Sequence, residues 1–273
     1  MAAVTGWLEV ADRIWVRRYD PFDVNVSVIA GDHGTLLVDT RTSLHEAAEV
    51  RHHLAELDVP PLSAVALTHA HLDHSLGAGA FSGVPLYASR GCREALTRHG
   101  VDQRERWFDH VDERFHAHLR ASPIPAPDRP VASEQRIDLG GRDVELRVLG
   151  RGHTDHDLVV HVPDAATVLV GDLVESGAAP SFEDAFPFEW PATLARVEAL
   201  DASVLVPGHG TPSSNRLLAI QRQQQAHLAA LCREVIAGLR THAMAKVLSP
   251  FPEETTETAL ARAASTIADA GDA

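Results

Sequence analysis

Four side chains that can bind a divalent metal ion lie within six residues of the chain, in the run Thr68-His69-Ala70-His71-Leu72-Asp73-His74. Imidazole and carboxylate groups form the ligand set that suits zinc and related divalent ions. His69 and His71 are two residues apart, so they share a direction only in extended or loop backbone. Asp73 and His74 are adjacent and can point toward a second position. The spacing therefore predicts one loop that serves two metal ions.

Two ions need more ligands than this loop supplies, because one catalytic ion takes about three protein ligands and keeps a position open. The further candidates are His153 in Gly152-His153-Thr154, Asp172 in Gly171-Asp172-Leu173 and His209 in Gly208-His209-Gly210. Each follows or ends a predicted strand, and such loops gather at one edge of an αβ layer fold. The chain has 17 histidines, so some short spacings arise by chance. We predict surface or structural roles for His33, His45, His52, His53, His99, His110, His116, His118, His161, His227 and His242.

The composition narrows the class of protein. With 273 residues, 45% of them hydrophobic, the chain can bury a large core. A formal charge of −14 disfavours binding to nucleic acid or to anionic membranes. Cys92 and Cys232 are isolated, which favours a reducing compartment, and neither a leader-like start nor a membrane-length apolar run is present. We therefore expect a cytoplasmic protein that acts on a small molecule, and we leave its oligomeric state open.

The apolar pattern alternates strands and helices, which predicts an α/β fold. Apolar runs between turn residues predict strands at 13–16, 24–30, 35–39, 63–67, 84–88, 143–148, 158–162, 167–170 and 203–206. Ser43-Leu44-His45-Glu46 matches a capping box and predicts a helix start. The histidine run falls in a strand-to-helix loop. We expect one domain over 1–273, with a helical insertion around 100–136 and a helical C-terminal extension around 214–270.

The histidine run resembles the HxHxDH signature of the metallo-β-lactamase superfamily, and His153, Asp172 and His209 match its later ligands in order. The resemblance spans residues 24–210 and implies an αββα sandwich, two mixed β-sheets with helices on the outer faces. It implies that His69, His71 and His153 hold one ion, that Asp73, His74 and His209 hold a second, and that Asp172 bridges them. Asp39 resembles the family's buried structural aspartate and would orient a ligand, although a turn-starting aspartate explains the local pattern equally well.

A water held between two divalent ions is acidified enough to supply a hydroxide nucleophile near neutral pH. The chain shows no GxSxG motif, no P-loop and no Cys-His pairing. We therefore predict a binuclear metal-dependent hydrolase that cleaves an activated acyl bond, in a thioester, a lactone or a similar ester, with a metal-bridging hydroxide. Asp73 would also orient this hydroxide and shuttle its proton. Zinc is the expected metal, with iron or manganese as alternatives.

The segment 150–160 resembles the Gly-His-Thr loop of β-lactamases that hold their second zinc with a cysteine. This chain has Asp172 in place of that cysteine, and it has Glu175 where those enzymes use a lysine to bind the antibiotic carboxylate. β-Lactam hydrolysis is therefore the alternative rather than the main prediction. The aspartate resembles that of glyoxalase II, but Asp157 replaces a histidine that is usual there.

Four other interpretations of the motif stay open or are ranked low. A mononuclear iron dioxygenase that acts on persulfides shares much of the signature. A flavin-coupled di-iron reductase generally has glutamate where this chain has His71, and a nuclease needs a basic surface. A purely structural metal would need closed coordination. Five polar residues close to the motifs are further candidates for substrate contact: Tyr87, Arg151, Asp155, His156 and Asp157.

Overall fold

A computed structural model describes residues 6–109 and 111–271, so that His110 lies outside the described residues. The first half of the chain contains the strands β1 (Leu8–Ala11), β2 (Ile14–Tyr19), β3 (Val24–Ala30), β4 (Thr35–Val38), β5 (Leu62–Ala66), β6 (Leu86–Ser89) and β7 (Arg129–Val131). The second half contains β8 (Glu134–Asp138), β9 (Asp143–Arg147), β10 (Val159–Val162), β11 (Thr167–Glu175), β12 (Val204–His209) and β13 (Ser213–Ser214). The helices are α1 (Leu44–Leu54), α2 (Leu72–Ser75), α3 (Arg90–Trp107), α4 (Glu113–Ala121), α5 (Trp190–Glu198), α6 (Asn215–Ile236), α7 (His242–Leu248) and α8 (Glu253–Gly271).

Both halves form mixed sheets. In the first half β1 to β4 pair antiparallel, whereas β4, β5, β6 and β7 pair parallel. In the second half β11 and β12 are parallel and the other pairs are antiparallel. The halves are joined through β3 and β12, where Val24 pairs with His209. This junction brings the last predicted ligand next to the first sheet.

Alternating side chains along the strands build a core on each face of the sheets. Leu36 packs in the core between the sheets with Val160, whereas its neighbour Leu37 packs on the outer face against Val50 of α1. In the second half Leu169 faces inward, and Val168 packs outward in the core that includes residues of α5, α6 and α8. The period of two is that of strands with both faces covered. The predicted αββα sandwich is confirmed.

The structure corrects two sequence-based boundaries. The segment 100–136, predicted as a helical insertion, holds the end of α3, the helix α4 and two strand segments, β7 and the start of β8. The helix α3 begins earlier, at Arg90, because Ser89 caps it by accepting a hydrogen bond from the backbone N–H of Cys92. The strand predicted to end at residue 170 continues to Glu175, so that Asp172 lies inside β11. The predicted C-terminal helical region, 214–270, contains α6, α7 and α8.

The strand β11 has an irregular backbone at Gly171, just before Asp172, and continues beyond it. Gly171 has a φ of +53°, and the register with β12 shifts on both sides of this residue. A Cβ atom at position 171 would lie 2.8 Å from the Cβ of Thr68. Glycine therefore allows both the bulge and the close approach of β11 to the histidine loop, and bulges of this kind re-aim neighbouring side chains.

Among the helices of residues 6–109 and 111–271, none is both long enough and apolar enough to cross a bilayer.

Backbone hydrogen bonds attach the histidine loop to the turn after β4. The backbone N–H of Thr40 donates to the carbonyl of His74 at 2.7 Å, and the N–H of Gly77 donates to the carbonyl of Arg41 at 2.9 Å. A Cβ atom at Gly77 would lie 2.0 Å from the carbonyl oxygen of Thr40. The turn after β4 therefore fixes the position of α2, which carries Asp73 and His74.

We expect Gly77→Ala to lower the free energy of unfolding by about 1–3 kcal/mol, because the clashing atom belongs to the backbone and cannot rotate away. Urea denaturation of the metal-depleted protein, followed by circular dichroism, measures this change. Gly79→Ala is the matched control, since its Cβ would meet the side-chain atoms Leu44 Cδ2 at 3.1 Å and Pro123 Cγ at 3.3 Å. Equal losses in the two variants would show that the contact with Thr40 is not the cause.

Candidate metal centre

The end of β5 delivers the histidine run to the edge of the sandwich. His69 and His71 lie in the loop between β5 and α2, and His71 has extended dihedrals as the N-cap of α2. Asp73 and His74 lie in the single turn of α2. His69 and His74 are almost completely buried, with 1% and 0% of their surface exposed. This segment therefore buries His69, Asp73 and His74, whereas His71 stays partly exposed.

One cluster contains His69, His71, His153 and Asp172, whose potential ligand atoms all lie within 4.8 Å of one another. His71 Nδ1 and His153 Nε2 are 2.9 Å apart. The Oδ2 atom of Asp172 is 3.5 Å from His153 Nε2 and 3.7 Å from His69 Nε2. These are the three histidines that the family resemblance assigned to the first ion.

A second cluster contains Asp73, His74 and His209, again with ligand atoms within 4.8 Å. His74 Nε2 and His209 Nε2 are 3.1 Å apart, and His209 Nε2 is 3.2 Å from Asp73 Oδ2. Asp172 also reaches this cluster, with Oδ1 3.2 Å from His74 Nε2 and Oδ2 3.4 Å from His209 Nε2. The carboxylate of Asp172 thus lies between the two clusters, and the structure brings all seven predicted ligands together.

The donor atoms fit divalent metal ions. Ligand nitrogens about 2.1 Å from a tetrahedral ion lie about 3.4 Å from each other, close to the nitrogen separations in both clusters. Within the described part of the chain, the buried His69 Nε2 has no hydrogen-bond partner. Leaving a buried polar atom unsatisfied costs about 1–3 kcal/mol. A cation bound between these groups would satisfy that nitrogen.

In four of the five histidines of the clusters, the outer ring nitrogen, which is the one that faces away from the other candidate ligands, contacts a hydrogen-bond acceptor. His74 Nδ1 donates to Asp39 Oδ2 at 2.8 Å, His209 Nδ1 donates to the carbonyl of Phe22 at 2.7 Å, and His71 Nε2 donates to Asp184 Oδ2 at 3.1 Å. His69 Nδ1 lies 3.0 Å from the hydroxyl of Thr68, which donates in turn to Asp39. Such contacts fix the tautomer and leave the inner nitrogen free to bind a metal.

Asp39 therefore lies where the sequence placed it, beside a candidate ligand. Its carboxylate is 2% exposed and accepts hydrogen bonds from both the backbone N–H and the hydroxyl of Thr68. Its φ of +63° belongs to the left-handed region, which aspartate tolerates better than most residues. The contacts of Asp39 with His74 and Thr68 support an orienting role for this residue.

The charges in the clusters suit cation binding. Burial lowers the pKa of His153 to about 4 and that of His69 well below its usual range, so both are neutral as metal ligands must be. Burial opposes ionisation of Asp73, but His74 and His209 bring its pKa down to about 2. Burial also opposes protonation of His74, yet Asp172 and Asp73 raise its pKa. A cation bound in the second cluster therefore displaces a proton from His74.

Comparison with known families agrees with this geometry. The sequence model of the metallo-beta-lactamase superfamily matches residues 19–209, which include every residue of both clusters. The chain belongs to this superfamily. Membership assigns it to a class of metal-dependent hydrolases, and the His/Asp clusters lie where such an enzyme needs its ions.

Two curated relatives and one solved structure show how much of this chain is similar to known proteins. A linear primary-alkylsulfatase from Pseudomonas sp. (strain ATCC 19151) is 25% identical over 69% of this chain and 42% of its own length. A metallo-beta-lactamase type 2 from Bacteroides fragilis is 29% identical over 37% of this chain and 42% of its own length. The chain thus spans about two fifths of each relative. A metallo-beta-lactamase structure from Pontibacter korlensis covers 81% of this chain and 98% of its own, with a TM-score of 0.65 and 21% identity, and shares the fold.

A cavity of about 860 Å³ opens onto the two clusters. Its lining includes His71, Asp73, His153, Asp172 and His209, with Gln103, Arg106 and Trp107 of α3 on one wall and residues 175–179 on another. This volume is of the size of small-molecule sites. The cavity gives a substrate access to both clusters.

Glu175 lines this cavity, and its carboxylate lies within 4.8 Å of ligand atoms of Asp172 and His209. Burial and the neighbouring Asp172 raise the pKa of Glu175 to about 8. The side chain of Gln221 in α6 fixes the backbone of Glu175, because it accepts a hydrogen bond from the N–H of Glu175 at 3.1 Å. An acidic residue here, whether ionised or protonated, offers no cation to a substrate carboxylate.

The five polar candidates for substrate contact divide into two groups. Tyr87 packs against the core between the sheets, Arg151 pairs with Glu189, and Asp157 is buried against Thr154. These three contacts are structural. By contrast, Asp155 and His156 line a second cavity of about 310 Å³ that also borders His71.

Sequence reasoning missed Asp184, which accepts a hydrogen bond from His71 and borders both cavities. It lies in the loop between β11 and α5, in the run Ser181-Phe182-Glu183-Asp184, where no spacing distinguishes it from a solvated acid. Burial opposes its ionisation, but His71 lowers the pKa of Asp184 to about 2. Only the folded structure shows that Asp184 contacts a candidate metal ligand.

We expect Asp184→Asn to weaken zinc binding about 10–100-fold, the usual effect of losing a hydrogen-bond partner of a metal-bound histidine. Competition with a chromophoric zinc chelator measures this affinity. Glu183→Gln is the control, because this neighbouring acid also lines the large cavity and undergoes the same change of charge. An unchanged affinity in Asp184→Asn, or an equal loss in both variants, contradicts a specific role for the His71 contact.

Proposed function

We propose that the chain is a binuclear metal-dependent hydrolase of an activated acyl bond, in a thioester, a lactone or a similar ester, with zinc as the metal. The observation that carries this proposal is the position of Asp172, whose carboxylate oxygens lie 3.2–3.7 Å from histidine nitrogens of both clusters. One carboxylate that reaches two groups of candidate ligands can bridge a pair of neighbouring ions.

The two ions would supply an acidified water as nucleophile and polarise the carbonyl under attack. The protein holds the ligands in place through Asp39 and Asp184, which orient His74 and His71. Asp73 is ionised, lies 3.2 Å from His209 and lines the large cavity. Its second role in the proposal is to hold the proton of the nucleophile and pass it to the leaving group.

The acidic residue Glu175 in the wall of the large cavity affects which substrates fit. Glu175 occupies the wall beside the second cluster, at the position where a lysine would bind the carboxylate of a β-lactam. Specificity is a difference between affinities, and an acid at this position disfavours that carboxylate. Acyl substrates without a negative charge next to the scissile bond therefore fit this wall better.

A panel of substrates tests the proposal. The zinc-loaded protein is assayed on a thioester, a lactone, a β-lactam and an alkyl sulfate, the last two because relatives are named for such activities. We expect kcat/KM for the best acyl substrate to exceed that for the β-lactam and the alkyl sulfate by about 100-fold, or about 2.7 kcal/mol. A preference for either of the latter overturns the proposed substrate class.

The oxygenase alternative needs its own measurement. Protein purified without added metal is analysed for iron and then supplied with glutathione persulfide in an oxygen electrode. We expect no oxygen uptake above the rate of the protein-free control. Stoichiometric iron together with rapid oxygen uptake would replace hydrolysis with persulfide oxidation as the function.

A further inference from the structure

The second cavity adjoins the large one. His71, Gln103, Arg106 and Asp184 line both, so the two spaces meet beside the first cluster. Residues of α3 also line the second cavity, together with Phe186 and Arg262. Its volume of about 310 Å³ is that of roughly ten water molecules. A substrate bound at the metal site can therefore place one arm here.

The wall of this second cavity contains three arginines and three acids, but their contacts differ. Each acid already has a partner: Glu94 lies 3.8 Å from Arg98, Asp155 lies 2.5 Å from His156, and Asp184 lies 3.1 Å from His71. Among the side chains of residues 6–109 and 111–267, no carboxylate lies within 4.0 Å of Arg106 or Arg262. Two arginines therefore line this space without an acidic partner in that part of the chain.

Arg262 is held at the rim by the loop that carries Asp184. Its Nε donates to the carbonyl of Ala185 at 2.8 Å, its Nη2 donates to the carbonyl of Asp184 at 3.2 Å, and its guanidinium lies 5.2 Å from the ring centroid of Phe186. In the described part of the chain the guanidinium of Arg106 has no hydrogen bond of this kind, and Arg106 lines both cavities. Arg106 is thus the cation that a bound arm would meet first.

We propose that the second cavity is a subsite for a carboxylate at the end of the substrate's acyl arm, with Arg106 as its main binding residue. This proposal rests on the proposed function and specifies that the distal end of the substrate is negatively charged. A guanidinium binds a carboxylate through two parallel hydrogen bonds, which favours this anion over a neutral end group. The subsite is compatible with Glu175, which lines only the large cavity.

A matched pair of substrates tests the subsite: a thioester of glutaric acid and the same thioester with its free carboxylate converted to a methyl ester. We expect Arg106→Gln to lower the ratio of kcat/KM for the acid over the ester about tenfold. Arg93→Gln should leave this ratio within twofold, because Arg93 is an exposed arginine of the same helix outside both cavities. An unchanged ratio in Arg106→Gln overturns the subsite.

Calorimetry separates failure of the subsite from failure of the proposed function. If the wild-type protein cleaves neither these thioesters nor the other acyl substrates of the panel, the proposed function is wrong, whereas binding of free glutarate to the zinc-loaded protein still tests Arg106. We expect glutarate to bind about tenfold more weakly to Arg106→Gln than to the wild type or to Arg93→Gln. Equal affinity in all three proteins overturns the subsite irrespective of activity.

Discussion

We expect Asp172→Asn to lower kcat/KM on the best acyl substrate by about 1,000-fold or more, equivalent to about 4 kcal/mol of lost transition-state stabilisation. The substitution keeps the shape of the side chain but removes the charge that lies between the two clusters. An amide is a poor bridge between cations, so the ions lose both their shared ligand and their fixed separation. His69→Ala, which removes a buried ligand from the first cluster, is expected to have an effect of similar size.

Steady-state kinetics at saturating zinc measure this loss, and circular dichroism checks that the variants are folded. Glu183→Gln serves as the control, because Glu183 lines the same cavity but belongs to neither cluster. If Asp172→Asn and His69→Ala both keep full activity, the clusters do not carry the reaction.

Removal of the metal is expected to lower the melting temperature of the wild-type protein by roughly 10 °C. An ion present at 1,000 times its dissociation constant stabilises the folded state by about 4 kcal/mol, and about 1 kcal/mol shifts the melting temperature of a chain of this size by roughly 2–4 °C. Without ions, His69 Nε2 is left buried without a partner, and two carboxylates crowd the same space. Part of the gain is offset by the proton that must leave His74.

Differential scanning calorimetry with excess zinc and with excess chelator measures this shift. In Asp172→Asn the difference between the two conditions should fall to less than half of the wild-type value, because both sites lose a ligand. A wild-type melting temperature that does not respond to the chelator contradicts tight metal binding by the clusters.

The sequence predicted which residues form the two clusters, because metal ligation constrains spacing. The run from His69 to His74 is local, so its pattern is visible without a structure. His153, Asp172 and His209 were found because each lies close to the end of a predicted strand and matches the family order. Membership of the superfamily and the αββα sandwich are confirmed.

The residues that the sequence did not reveal act through contacts that only the fold creates. Asp184 meets His71 across 113 residues, and Arg106 borders both cavities because α3 runs beside the histidine loop. Neither residue lies in a recognisable pattern. The same reason explains the missed strands: β8 has one buried residue among five, so it lacks the apolar alternation that predicts a strand.

The strand β11 is longer than its local sequence predicts, because its pairing with β12 continues past Gly171. Glycine weakens a strand, and the sequence-based prediction stopped before Gly171, which has a positive φ in the structure. Pairing with β12 resumes beyond it, at Glu175 and His209. The strand therefore places both Asp172 and Glu175 at the cavity, one toward the ligands and one in the wall.

The metal content of the protein tests the two-ion centre most directly. The wild-type protein is loaded with zinc, desalted and analysed by inductively coupled plasma mass spectrometry. The arrangement of two clusters around Asp172 predicts two zinc ions per chain, and fewer in Asp172→Asn under the same conditions. One zinc ion or none in the wild-type protein would contradict a binuclear centre.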